Sequence, residues 1–173
     1  MRRLGVIVAL GAMLAMFSGV LTASPALAGR GPKWQPPGGP PFTLPALFCG
    51  FKIRGTSVAS KGYSKILKSS DGSMTTLFTG TLKLTFTNPR NGKAITENVG
   101  GPAKVTTHPD GSLTLALKGH TGVFLAPADA KRFGLPGASV TTGAITESVA
   151  ADGTITSLTL KGHLAVNVCA ALS

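Results

Sequence analysis

One unit recurs three times and dictates what the chain can become. DGSMTTLFTGTLKLTF (71–86), DGSLTLALKGHTGVFL (110–125) and DGTITSLTLKGHLAVNV (152–168) are variants of it. Each is an Asp-Gly turn, an alternating apolar/polar run, a mid-run Gly and a further run. Leu82, Leu84 and Phe86 alternate with Lys83, Thr85 and Thr87, and Leu113, Leu115 and Leu117 with Thr114, Ala116 and Lys118. Leu164, Val166 and Val168 alternate with Ala165 and Asn167. Period-two alternation is the mark of half-buried antiparallel strands. Ser70-Asp71-Gly72, Pro109-Asp110-Gly111 and Ala151-Asp152-Gly153 read as hairpin turns, and 88–92 as a fourth, longer one. Successive Asp-Gly turns lie 39 and 42 residues apart, so each repeat has room for two to three strands. ITENV (95–99) and ITESV (145–149) echo each other ahead of two of the units.

The pattern predicts an all-β antiparallel meander of about eight strands, the first opening near Leu47 with Cys49, Phe51 and Ile53 on one face. Glycines at 55, 80, 119 and 162 interrupt good strands, as bulges and sharp bends do. That favours a closed up-and-down barrel over a two-sheet sandwich. The exception is 126–136, which reads as a short helix ended by Gly134 and Pro136, a lid over one barrel end or a bridging connection. The inward Leu, Val, Ile, Phe51 and Phe86 have the bulk to fill a small barrel.

The N-terminus reads as an export signal, residues 1–28. Arg2 and Arg3 precede an apolar run from Leu4 to Phe17, and Ala26-Leu27-Ala28 fits the small-x-small cleavage rule. The run is shorter than the roughly 20 residues of a membrane span, and Pro25 closes it, so no span is expected in the mature protein. Residues 29–46 form a Pro/Gly-rich arm with no expected regular element, carrying Trp34 as either a docking anchor or a side chain that packs against its own domain. Residues 47–173 are the folded domain. Its two cysteines, Cys49 and Cys169, open and nearly close it, and two thiols in an exported chain are expected to pair. Such a bridge would contribute about 4–5 kcal/mol by restricting the unfolded chain.

Without Arg2 and Arg3 the 17 basic side chains fall to 15 against 6 acidic ones, a net charge of +9. A basic exported protein is drawn to anionic envelope polymers or lipid headgroups, although solubility is the plainer reading. Nucleic acid is a poorer partner: the lysines are scattered singly along strands, with few aromatics among them for stacking.

Catalytic motifs are absent. There is no Gly-x-Ser-x-Gly elbow, His-Glu-x-x-His, phosphate loop or Cys-x-x-Cys, and no cofactor is called for. The sharpest candidates are Glu97 and Glu147. Each shares a strand face with an Ile and a Val, so an inward face would bring two carboxylates into an apolar interior. There they would act as acid and base or grip a polar ligand head. Facing outward, they would be ordinary surface residues. Lys118-Gly119-His120 and Lys161-Gly162-His163 put two His at equivalent bends, too few ligands for zinc and on the face opposite the leucines. His108, beside a turn, is weaker still.

The run FTGTLKLTFTNPRNGKAITENVGGPAKVTTHPDGS and the closing Val168-Cys169-Ala170 resemble a group of small secreted actinobacterial proteins. The resemblance implies export and an all-β fold and carries over no site residues. Together these features read as a secreted, non-enzymatic binding module for a small apolar ligand or an anionic envelope surface. The alternatives are a small barrel enzyme of isomerase or cyclase type using Glu97 and Glu147, and a structural envelope protein with a filled core.

Overall fold

The computed structural model describes Trp34–Gln35 and residues 40–173; the export-signal reading of residues 1–28 lies outside them. Among the described residues nine strands form one antiparallel sheet: β1 (Trp34–Gln35), β2 (Phe42–Leu44), β3 (Ile53–Lys68), β4 (Met74–Thr87), β5 (Ala94–Asn98), β6 (Ala103–Thr107), β7 (Leu113–Phe124), β8 (Ala138–Val149) and β9 (Ile155–Asn167). The described residues also hold two short helices, α1 (Pro127–Phe133) and α2 (Val168–Leu172). The order is β1-β3-β4-β6-β7-β8-β9, with β2 on β3 and β5 on β4. The sheet curls into a half-barrel; among the described residues no ladder joins β9 to β3.

The three Asp-Gly units close as one turn made three times. The Gly N–H bonds back to Ser69, His108 or Ala150 O. Gly72, Gly111 and Gly153 all sit at φ 84°, where a side chain would be strained. The Asp contributes its carboxylate rather than its backbone. Asp71, Asp110 and Asp152 Oδ1 each accept the N–H two residues on, at 2.9 Å, from Ser73, Ser112 and Thr154. Those bonds favour the ionised form and hold all three carboxyls below the usual range.

Two differences from the sequence reading stand out at the N-terminal end. The arm is not devoid of regular structure: β2 pairs with Ile53–Gly55 and Leu44 is fully buried. The first long strand begins at Ile53 rather than Leu47, because Gly50 N–H closes a turn on Ala46 O at 2.6 Å. The apolar residues around Cys49 therefore pack as a folded-over turn. Cys49 bonds to Cys169 on α2, with Cα atoms 5.2 Å apart.

The apolar set divides into two clusters. One holds Leu44, Ile53, Leu84, Phe86, Phe124, Val140, Val168 and Leu172, with the disulfide packed against it. Phe124 meets Phe48 and Phe86 edge-on there. The second holds Val105, Leu115, Val123, Leu125, Ile145 and Val149, and α1 covers it with Ala130 and Phe133. The first cluster is tied down by the 88–93 turn. Asn88 and Asn91 Nδ2 donate to Leu172 O, satisfying a helix-end carbonyl from 84 and 81 residues away.

Candidate functional site

Between the two clusters the sheet splits. β4 pairs with β5 over Lys83–Thr87 and with β6 over Met74–Phe78. Gly100-Gly101-Pro102 breaks the chain between those two strands. β6 continues the sheet to β7 only over Leu113–Leu117, whereas the β7–β8 ladder runs on to Phe124. A half-open cavity of about 120 Å³ occupies the resulting wedge. Its walls come from 78–82 of β4, 99–103 and Val105, residues between 115 and 124 of β7 with Leu125 beyond it, and Ile145 and Glu147 of β8. Ser60 and Gly62 of β3 also reach it.

Glycines make this geometry possible. Gly80 is opposite Gly62, and Gly143 lies between Gly119 and Gly162. At Gly80 and Gly143 φ is 135° and 129°. A Cβ there would fall on the carbonyl oxygen of Lys61 or Lys161 respectively. The backbones thus approach too closely for any side chain, and each long strand bends at mid-length.

Glu147 is the carboxylate on the cavity wall. The register sets it opposite Leu115 on β7 and Leu158 on β9, with Ile145 and Val149 on the same face. Both neighbours belong to the second cluster. Burial pushes its carboxyl up from 4.5 to about 7, and the Asp129 carboxylate on α1 adds to the rise. α1 is held over this region by Arg132, whose guanidinium donates to Ile155 O at 2.9 Å and Thr156 O at 2.8 Å. Near neutral pH Glu147 can therefore donate from the acid form or accept as the anion.

Glu97 is opposite Leu84, on the core face of β4, and outside the cavity lining. The two ITE segments thus face the interior in both copies, but one carboxylate reaches the cavity. His120 and His163 lie on the outer face, both exposed and opposite Thr142, whose hydroxyl is 3.1 Å from His120 Nδ1. His120 also borders the cavity mouth, a place its alternation does not reveal. His108 bonds to Thr114 Oγ1 at 3.0 Å across its turn. Among the described residues no three His, Cys, Asp or Glu side chains gather as a metal-ligand set. Trp34 pairs through its backbone with Tyr63 at the β3 edge. No described helix is long and apolar enough to cross a membrane.

The sequence reading missed Gly100-Gly101-Pro102, although two breakers and a proline between two five-residue strands signal a split. It also missed Asp129, which approaches Glu147 only through the packing of α1. No protein-family profile, curated protein or solved structure matches the chain.

Proposed function

We propose that this chain is a secreted binding protein whose cavity holds a small, mainly apolar molecule carrying one hydrogen-bonding group. The observation that carries the reading is an apolar cavity with a single carboxylate, Glu147, on its wall. At about 120 Å³ it is close to the cavity of about 150 Å³ that takes benzene, so the ligand is ring-sized or the branched end of a longer chain. A hydroxyl or amine on that ligand would pair with the Glu147 carboxyl, which is costly to leave unpartnered in apolar surroundings. Export is supported by the N-terminal charge, apolar run and cleavage pattern, and by the disulfide. Closure of the half-barrel into a full barrel would complete the enclosure and belongs to the same proposal.

Binding is favoured over acid–base catalysis because a two-carboxylate mechanism needs both groups at one reacting centre. Glu97 does not line the cavity. The test is native mass spectrometry of the protein purified from its own culture medium, beside Ala103→Phe, which fills the wall opposite Phe78 and Leu117. The expected result is an excess mass that disappears on denaturation and is missing from the filled variant. A bare mass in the wild type, with no uptake of phenylethanol or benzylamine, would overturn the reading.

A further inference from the structure

Lysines that look scattered along the sequence are gathered by the register. In an antiparallel ladder, residues directly opposite one another share a face. Lys65 and Lys104 both lie opposite Leu77, and Lys118 and Lys161 both lie opposite Ala144. Lys104 is opposite Ala116, two residues before Lys118 on the same strand. All four are exposed, on the face away from the leucine clusters. With strands about 4.8 Å apart and about 3.3 Å per residue, neighbouring lysines in this row stand about 8–10 Å apart across six strands. Lys61 and Lys83, opposite Thr81 and Ala59, flank the row on the same face.

The chain's six acidic residues all lie elsewhere. Asp71, Asp110 and Asp152 occupy the turns, Asp129 sits on α1, and Glu97 and Glu147 face inward. The outer face therefore carries uncompensated positive charge. The half-buried Leu77 stands between Lys65 and Lys104; around the other lysines stand Ala116, Ala144, Thr146 and Thr159, small or hydroxyl-bearing side chains that leave the charged groups accessible.

We propose that this lysine row is a docking surface for a linear anionic glycan, acidic at about every second sugar. Three features select that partner. The lysines are evenly and widely spaced, whereas duplex DNA presents one charge per about 1.7 Å of axis, far denser than this row can match. Base stacking uses successive ring platforms, whereas Leu77, Ala116 and Ala144 separate the four lysines; Tyr63 stands beside the row, between Lys61 and Lys65. The face is the outside of a curled sheet, which meets a flat bilayer along a ridge rather than over its whole width. The threonine hydroxyls are placed to hydrogen-bond sugar hydroxyls between the charged contacts. Of the row's four lysines, Lys118 alone also borders the cavity, and glycan and small-molecule titrations read the two surfaces independently, so either reading can fail without the other.

The experiment is calorimetric titration of the purified protein with hyaluronan oligosaccharides, which alternate a uronate with a neutral sugar, at several salt concentrations. Two variants carry the same loss of charge. One replaces Lys65, Lys104, Lys118 and Lys161 with Gln; the other replaces Lys52, Lys68, Arg90 and Lys131 with Gln. The row variant is expected to bind at least about 10-fold more weakly with a flatter salt dependence. The second should change affinity less than about 2-fold, since charges beyond about 10 Å are largely screened at moderate salt. Equal weakening in both, or no binding by the wild type, would overturn the proposal. So would tighter binding, lost in the row variant, to duplex DNA or to phosphatidylglycerol vesicles; either would give the face to a different partner.

Discussion

A carboxyl raised by burial has a sign that differs from the common case of a salt-bridged acid. Glu147 titrates near 4.5 when the chain is unfolded and about 7 when it is folded. Between those values the folded state keeps a proton that the unfolded state has released, so raising the pH favours unfolding. The protein should therefore be most stable, as far as this residue is concerned, below about pH 4.5. It should lose up to about 3 kcal/mol as pH rises through 7. Glu147→Gln should abolish that slope between pH 5 and 8 in denaturant titrations, and an unchanged slope would mean the carboxyl is not the cause. The alternation in ITESV puts Glu147 on the face of Ile145 and Val149 but leaves that face inward or outward; pairing with Leu115 and Leu158 makes it inward. Its elevated titration was only half legible, since Asp129 comes near through α1, from a separate stretch of chain. Glu97 shows the limit of the same logic. Its alternation groups it with Ile95 and Val99, yet strand pairing decides the face and position along the strand decides what a side chain reaches.

At the scale of the element, the bends are fixed by backbone contact rather than by propensity. Gly143→Ala must place a Cβ against Lys161 O and hold φ at 129°. It should cost at least about 3 kcal/mol and loosen the cavity with it. Gly134→Ala is the matched control. Its φ is 65°, but nothing lies within 4 Å of the added carbon, so about 1 kcal/mol is expected. Thermal melts of the two variants separate close approach from conformational preference; equal losses would mean that the approach of β8 to β9 does not matter. The glycines at 80, 119 and 162 were readable as bends because they interrupt clear alternation. Gly143 and Gly62 were harder to see, because their strands lack that regularity. The arm misled for a related reason: Phe42-Thr43-Leu44 is short and crowded by prolines, and only its pairing with β3 makes it a strand.

For the whole molecule, the alternating pattern established the sheet and its two faces, while strand order settled where the sheet opens. The repeat anticipated a continuous meander. The structure instead has β4 serving two short partners in succession, β5 and β6, and the break between them makes the cavity. At the opposite end the start and the close of the 47–173 domain are joined. The Cys49–Cys169 bridge spans 120 residues, so replacing both cysteines with Ala should lower stability by about 4–5 kcal/mol, read as a fall in denaturation midpoint. The cavity should survive in that variant: Leu82, Val99 and Phe124 on its wall belong to the disulfide-bearing cluster, but Leu115 and Ile145 belong to the other and are held by the β7–β8 ladder. The cavity itself is tested most directly by titrating benzyl alcohol into methyl-labelled protein and following each methyl resonance. The account predicts saturable shifts at Leu115, Leu117 and Ile145 on the cavity wall, with Leu44 and Val168 in the other cluster unmoved. Shifts at Leu44 and Val168 as large as those on the cavity wall, or no saturation at any methyl, would contradict it.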